Sequence, residues 1–172
     1  MRQYFFMATL ALVASMTACT APNEKAAQGE PQPGIEYDKI ALKADNGRYV
    51  CADLDLPGDD VAKLTASREQ VGDWETFTVR NLGGGRVALK AGNGKYVCVD
   101  FANGNYLAAN RDSVAEWETF EIVELANGKV AIRAAGNNYV RCRFEGDAPM
   151  PGLLVADRSE VGAWETFTLE IK

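Results

Sequence analysis

Trp74-Glu75-Thr76-Phe77, Trp117-Glu118-Thr119-Phe120 and Trp164-Glu165-Thr166-Phe167 are one tetrapeptide written three times in the chain. An arginine stands six residues ahead of each Trp, at Arg68, Arg111 and Arg158, and a Tyr-Val pair precedes each block, at Tyr49, Tyr96 and Tyr139. Tyr96 lies 22 residues after Trp74 and Tyr139 lies 22 after Trp117, whereas the separations from each Tyr to the following Trp are 25, 21 and 25. Length variation is thus confined to one place per unit, as expected for the tip of a surface loop. Self-similarity on this scale sets the architecture before any single element is assigned.

Within each unit, apolar and other residues alternate with period two. Ile40, Leu42 and Ala44 point one way and Ala41 and Lys43 the other, and the pattern returns in Val87-Ala88-Leu89-Lys90-Ala91 and Val130-Ala131-Ile132-Arg133-Ala134. Such alternation predicts half-buried strands. Asn46-Gly47 and Asn93-Gly94 follow, a dipeptide suited to the positive φ angles of a tight hairpin, and the third copy reads Gly136-Asn137-Asn138. A Tyr-Val strand comes next, then the variable tip. A returning strand runs through Leu64-Thr65-Ala66, Leu107-Ala108-Ala109 or Leu154-Val155-Ala156, and the aromatic block opens the fourth. Trp and Phe three apart cannot share one face of a regular strand, so the block is expected to bend as it enters the sheet. No stretch carries a convincing helical period.

Three four-stranded units make twelve strands, and one unit has too little apolar surface to fold alone. The closed solution is an all-β fold, a single β-trefoil in which a barrel carries a cap of hairpins. The motifs Leu-x-Ala-x-Asn-Gly-x-Tyr-Val, Ala-Asn-Arg and Trp-Glu-Thr-Phe resemble the fascin-like β-trefoil family over residues 37–172. Fascins carry four such trefoils and bundle actin, and this chain has one, so the bundling role does not follow from the resemblance. β-Trefoil lectins share the fold but use a Gln-x-Trp block that is absent here.

The N-terminus has its own character. Arg2 is followed by an apolar run from Tyr4 to Met16, too short for a membrane-spanning helix and suited to an export signal. The run ends in Met16-Thr17-Ala18-Cys19, which resembles a bacterial lipobox. That resemblance implies a signal peptide over residues 1–18, a diacylglycerol on Cys19, and, with Thr20 rather than Asp following, delivery to an outer membrane. A plain secretory signal cut after Ala18 is the alternative. Residues 19–36 are rich in Pro, Gln, Gly, Glu and Asn and form an expected tether.

A formal net charge of -6 argues against DNA or RNA as a partner, because neutralising phosphates needs a surplus of Lys and Arg on one face. No histidine occurs, which excludes Ser-His and Cys-His nucleophiles, and the repeated carboxylates have a scaffold reading; the chain is expected not to be an enzyme. Neither a cofactor nor a metal is expected, in the absence of any His or Cys-x-x-Cys. The recurring Arg, Trp, Glu and Phe are read as scaffold, with Trp74, Trp117 and Trp164 buried and Arg68, Arg111 and Arg158 paired to Glu75, Glu118 and Glu165. In the third unit Val140, Cys142 and Phe144 form the apolar row, leaving Arg141 and Arg143 outward and placing Cys51 and Cys98 on that other face. Free thiols are expected at all three cysteines.

What differs between the copies points to binding. Asp53 and Asp100 stand two residues after Cys51 and Cys98, and the third copy has Arg143. The resemblance to trefoil lectins implies a sugar-binding role for an Asp near this place. Beside Asp100 lie Asn103, Asn105 and Tyr106, an aromatic ring among amides, which suits a ligand with an apolar CH face and polar hydroxyls. The expected function is a monomeric, envelope-anchored carbohydrate-binding module. A cell-surface protein is the alternative partner for the same surface, with an actin-type role third.

Overall fold

The computed structural model describes residues 38–144 and 150–172. The export signal, Cys19 and the tether lie outside the described residues. Within them the twelve expected strands are present, four per unit: β1 (Lys39–Lys43), β2 (Tyr49–Asp53), β3 (Lys63–Arg68) and β4 (Phe77–Gly83); β5 (Arg86–Lys90), β6 (Tyr96–Asp100), β7 (Tyr106–Arg111) and β8 (Phe120–Glu124); β9 (Val130–Ala134), β10 (Tyr139–Arg143), β11 (Leu153–Arg158) and β12 (Thr166–Ile171).

The first and fourth strands of each unit close a six-stranded antiparallel barrel in the order β1, β4, β5, β8, β9, β12 and back to β1. Its register repeats three times. Phe77 faces Ile40, Phe120 faces Val87 and Phe167 faces Val130 across neighbouring strands. These phenylalanines are 0–1% exposed and lie in the one apolar cluster with Leu42, Leu89 and Ile132. The second and third strands form the hairpins β2–β3, β6–β7 and β10–β11, and these meet pairwise through β3–β7, β7–β11 and β11–β3. The cap is therefore a triangle in which each hairpin touches the other two. This is the β-trefoil.

The triangle is locked by one residue per unit. Ala62, Asn105 and Gly152, each just before the third strand, have φ of 64°, 62° and 80°. That left-handed conformation turns each carbonyl outward to accept an N–H from the third strand of another unit: Ala109 N to Ala62 O at 2.8 Å, Ala156 N to Asn105 O at 2.9 Å and Ala66 N to Gly152 O at 2.8 Å. At Gly152 the neighbour sits so close that a Cβ would come within 2.7 Å of the Ala66 carbonyl oxygen, so glycine is required there.

The period-two alternation describes membership of the central cluster better than exposure. Ile40 and Leu42 belong to that cluster and Ala41 does not, yet Ala41 is also fully buried, as are Ala88 and Ala131. The first and second strands of each unit are covered on both faces along their middles. For the same reason Cys51 and Cys98 are buried on the face away from the cluster, while Cys142 lies within it, and all three thiols are free. Arg141, expected to point outward, is instead folded beneath that outer layer, 9% exposed and paired through two 2.7 Å bonds to Asp157. In the first hairpins only the glycine takes positive φ, 75° at Gly47 and 76° at Gly94. The asparagines before them work through their side chains: Asn46 and Asn93 donate to the Ala66 and Ala109 carbonyls at 3.1 and 2.8 Å.

Candidate functional site

The repeated tetrapeptide is a turn followed by a core residue. The first two open with a single-turn 3₁₀ helix, Asp73–Glu75 and Glu116–Glu118, and the third with a plain turn at Trp164-Glu165. Glu75, Glu118 and Glu165 accept the backbone N–H of Gly72, Ala115 and Gly162 at 2.8 Å, and Thr76, Thr119 and Thr166 donate to the carbonyls of the same three residues at 2.7, 2.8 and 2.6 Å. A carboxylate reaching back to a helix-start N–H is one half of a capping box. The expected Arg pairings exist at 3.9, 3.7 and 3.9 Å to the other carboxylate oxygen, so they supplement the cap and do not define it.

The tryptophans correct the sequence expectation. Trp74, Trp117 and Trp164 are 49%, 48% and 43% exposed, not buried. The reason is geometric: the turn rotates the chain between Trp and Phe, so the Phe enters the barrel and the indole is left outside. The Trp117 ring meets Phe101 edge-on at 5.8 Å between centroids, and Trp164 meets Phe144 at 6.5 Å. Trp74 lies against Gly92 of the next unit.

Asp100, Asn103, Asn105 and Tyr106 gather at the tip of the second hairpin, but each has local work. Asp100 caps the short 3₁₀ turn Phe101–Asn103, accepting the Ala102 N–H at 3.2 Å and the Asn103 side-chain amide at 2.9 Å. Asn105 is the left-handed residue that joins the second unit to the third. The Tyr106 ring carries the Lys63 ammonium 3.7 Å from its centroid, and Lys63 also pairs with Asp60. Asp53 is apart from this group and works in the same way as Asp100, accepting the Asp55 N–H at 3.1 Å with Arg68 at 3.5 Å.

Asp100, Asn103 and Tyr106 nevertheless share a cleft of about 710 Å³ with the first unit's Asp59, Asp60 and Lys63 and with Asn93 and Asn110. Asn105 and Asp53 do not line it. Sequence reading missed Lys63, Asp60 and Asn93 because they belong to another unit or another loop. Only the β3–β7 contact brings the two tips together.

A family model described as the FRG1-like domain matches residues 61–168, well over half of the chain. The chain belongs to the FRG1-like family. No curated protein matches it. Solved structures similar to the FRG1-like domain share the trefoil at low identity. The designed threefold-symmetric protein ThreeFoil is 18% identical with a TM-score of 0.66, over 78% of this chain and 99% of its own. The BEL β-trefoil is 18% identical with a TM-score of 0.62, covering 78% and 92%. SeviL, in a structure bound to asialo-GM1 saccharide, is 15% identical with a TM-score of 0.60, covering 78% and 98%.

Electrostatically, burial in the FRG1-like domain favours the protonated form of two of its thiols. Burial pushes the Cys142 thiol up to about 12, against a small opposing contribution from a backbone hydrogen bond of Ala66, and burial also raises Cys98. Among the described residues no cluster of three or more His, Cys, Asp or Glu side chains is arranged to hold a metal ion.

Proposed function

We propose that this FRG1-like domain is a non-enzymatic carbohydrate-binding module, held at the cell envelope by a lipid on Cys19. The observation that carries the reading is the cleft between the first and second units. It combines three carboxylates, three side-chain amides and a tyrosine, groups that exchange hydrogen bonds with sugar hydroxyls. The trefoil of SeviL, solved with a saccharide, supports the same reading by fold.

A glycan array probed with the soluble domain lacking residues 1–34 should return hits. Calorimetric titration of a hit then tests the site. Asp100→Ala is expected to cost roughly 1.5–3 kcal/mol of binding if the carboxylate accepts a sugar hydroxyl, which is more than tenfold in affinity. Because Asp100 also caps its turn, Asp100→Asn belongs beside it: the amide oxygen can still accept the Ala102 N–H. Asp53→Ala should weaken binding less, as Asp53 lies outside the cleft. Unchanged affinity in both Asp100 variants would remove the second-unit site.

A further inference from the structure

Tyr106 is a poor stacking platform because one face is already taken by the Lys63 ammonium. The more exposed rings lie elsewhere. All three tryptophans of the chain are half-exposed, and each is held by the same capped turn beneath it. We propose that Trp74, Trp117 and Trp164 are three equivalent sugar-stacking platforms, one per unit, for the pyranose rings of a neutral polysaccharide. This rests on the carbohydrate-binding reading but not on the Asp100 cleft.

The surroundings favour a sugar over other occupants. A hollow of about 520 Å³ at Trp74 is also lined by Leu54, Asp55, Arg68 and Glu75, and one of about 470 Å³ at Trp164 by Arg158, Ser159, Glu160 and Glu165. Each is an indole ringed by donors and acceptors, matching a molecule with an apolar CH face and a hydroxyl rim. A protein partner calls for a broader continuous apolar patch than one indole with one neighbour. The three platforms are instead separated by the pseudo-threefold arrangement of the barrel. A net charge of -6 opposes an anionic lipid surface. The side chains beside the rings are Leu54, Phe101 and Phe144, so the platforms share a design and differ in flanking shape.

The test needs no substitution at first, since every tryptophan is a candidate contact and fluorescence excited at the red edge, where the six tyrosines do not absorb, reports the tryptophans alone. The full chain in nanodiscs of neutral lipid is titrated with oligomers of β-1,4-glucose, β-1,3-glucose, β-1,4-N-acetylglucosamine and β-1,3-galactose. Acrylamide quenching is measured at each point. At least one oligomer is expected to cut the quenching constant about twofold or more and to bind calorimetrically with three equivalents per chain. Trp74→Phe, Trp117→Phe and Trp164→Phe should each weaken one of the three sites, and each Trp→Ala should remove one equivalent. Far-ultraviolet circular dichroism checks that each variant is folded. Quenching unchanged by every oligomer, or protection by bare anionic vesicles alone, overturns the proposal. The two readings fail separately: loss of binding in Asp100→Asn with unprotected tryptophans keeps the cleft and removes the platforms, and the reverse keeps only the platforms.

Discussion

Truncating Phe120 to Ala would empty the space that the ring fills between Val87 and the central cluster, where it is 1% exposed. Core Phe→Ala changes cost about 3–5 kcal/mol, a large share of a domain's roughly 5–15 kcal/mol. Phe120→Ala should therefore unfold at far lower denaturant than the parent. Trp117→Ala, which removes a half-exposed ring, should lose about 1–2 kcal/mol at most. Chemical denaturation of the pair checks the contrast, and equal losses would defeat it. A second residue-scale outcome concerns Cys142. Burial pushes its thiol up to about 12 in the folded state, from about 9 in the unfolded chain. The folded state therefore keeps a proton that the unfolded state has lost. Stability is full below pH 9 and falls by about 1.4 kcal/mol per pH unit above it, until the folded thiol ionises. Cys142→Ala should flatten that alkaline slope, apart from the shares that Cys98 and Tyr49, both also raised, contribute in the same direction. Sequence phase alone placed Cys142 in the apolar row correctly. It could not place Arg141, because the carboxylate that draws it inward, Asp157, stands on the neighbouring strand.

At the scale of elements, the turns decide more than the strands. Gly152→Ala would force a Cβ to within 2.7 Å of the Ala66 carbonyl at a φ of 80°, and neither can relax without opening the β11–β3 contact. A loss of several kcal/mol is expected, read as a lowered melting temperature. The equivalent Ala62 already sits at positive φ with its Cβ accommodated. Ala62→Gly relieves about 1 kcal/mol of left-handed strain and should be neutral or slightly stabilising. The strands and hairpins were legible because alternation and Asn-Gly turns are local signals. The exposure of the tryptophans was not. It depends on the turn made by Glu118 and Thr119, whose bonds to Ala115 reverse the chain between two aromatics that composition alone would both bury.

At the scale of the whole molecule, the barrel and the cap triangle each draw on all three units, so no unit keeps all of its pairings if another is lost. Unfolding should be a single transition, with fluorescence and circular dichroism giving the same midpoint. Mass spectrometry of the mature protein should find lipid on an N-terminal Cys19. An unmodified N-terminus, or one retaining Met1, would defeat the envelope attachment. The threefold plan of the fold was readable from the repeated tetrapeptide. The cleft at Asp100 was readable only in half, because its other wall, with Lys63 and Asp60, comes from the preceding unit through a contact that no local pattern announces.

The barrel closes where β12 pairs with β1, with Ile171 facing Ile40 and the Lys172 N–H donating to the Lys39 carbonyl at 3.0 Å. The seam is bonded like the joins at β4–β5 and β8–β9, differing only in that no peptide crosses it. The pairings, more than the order in which the strands are joined, therefore hold the barrel together. A rearranged gene that begins at Arg86, joins residue 172 to residue 38 through a short glycine linker and ends at Gly85 should yield the same domain. Its two ends would then emerge at the β4–β5 turn, at a different corner of the barrel.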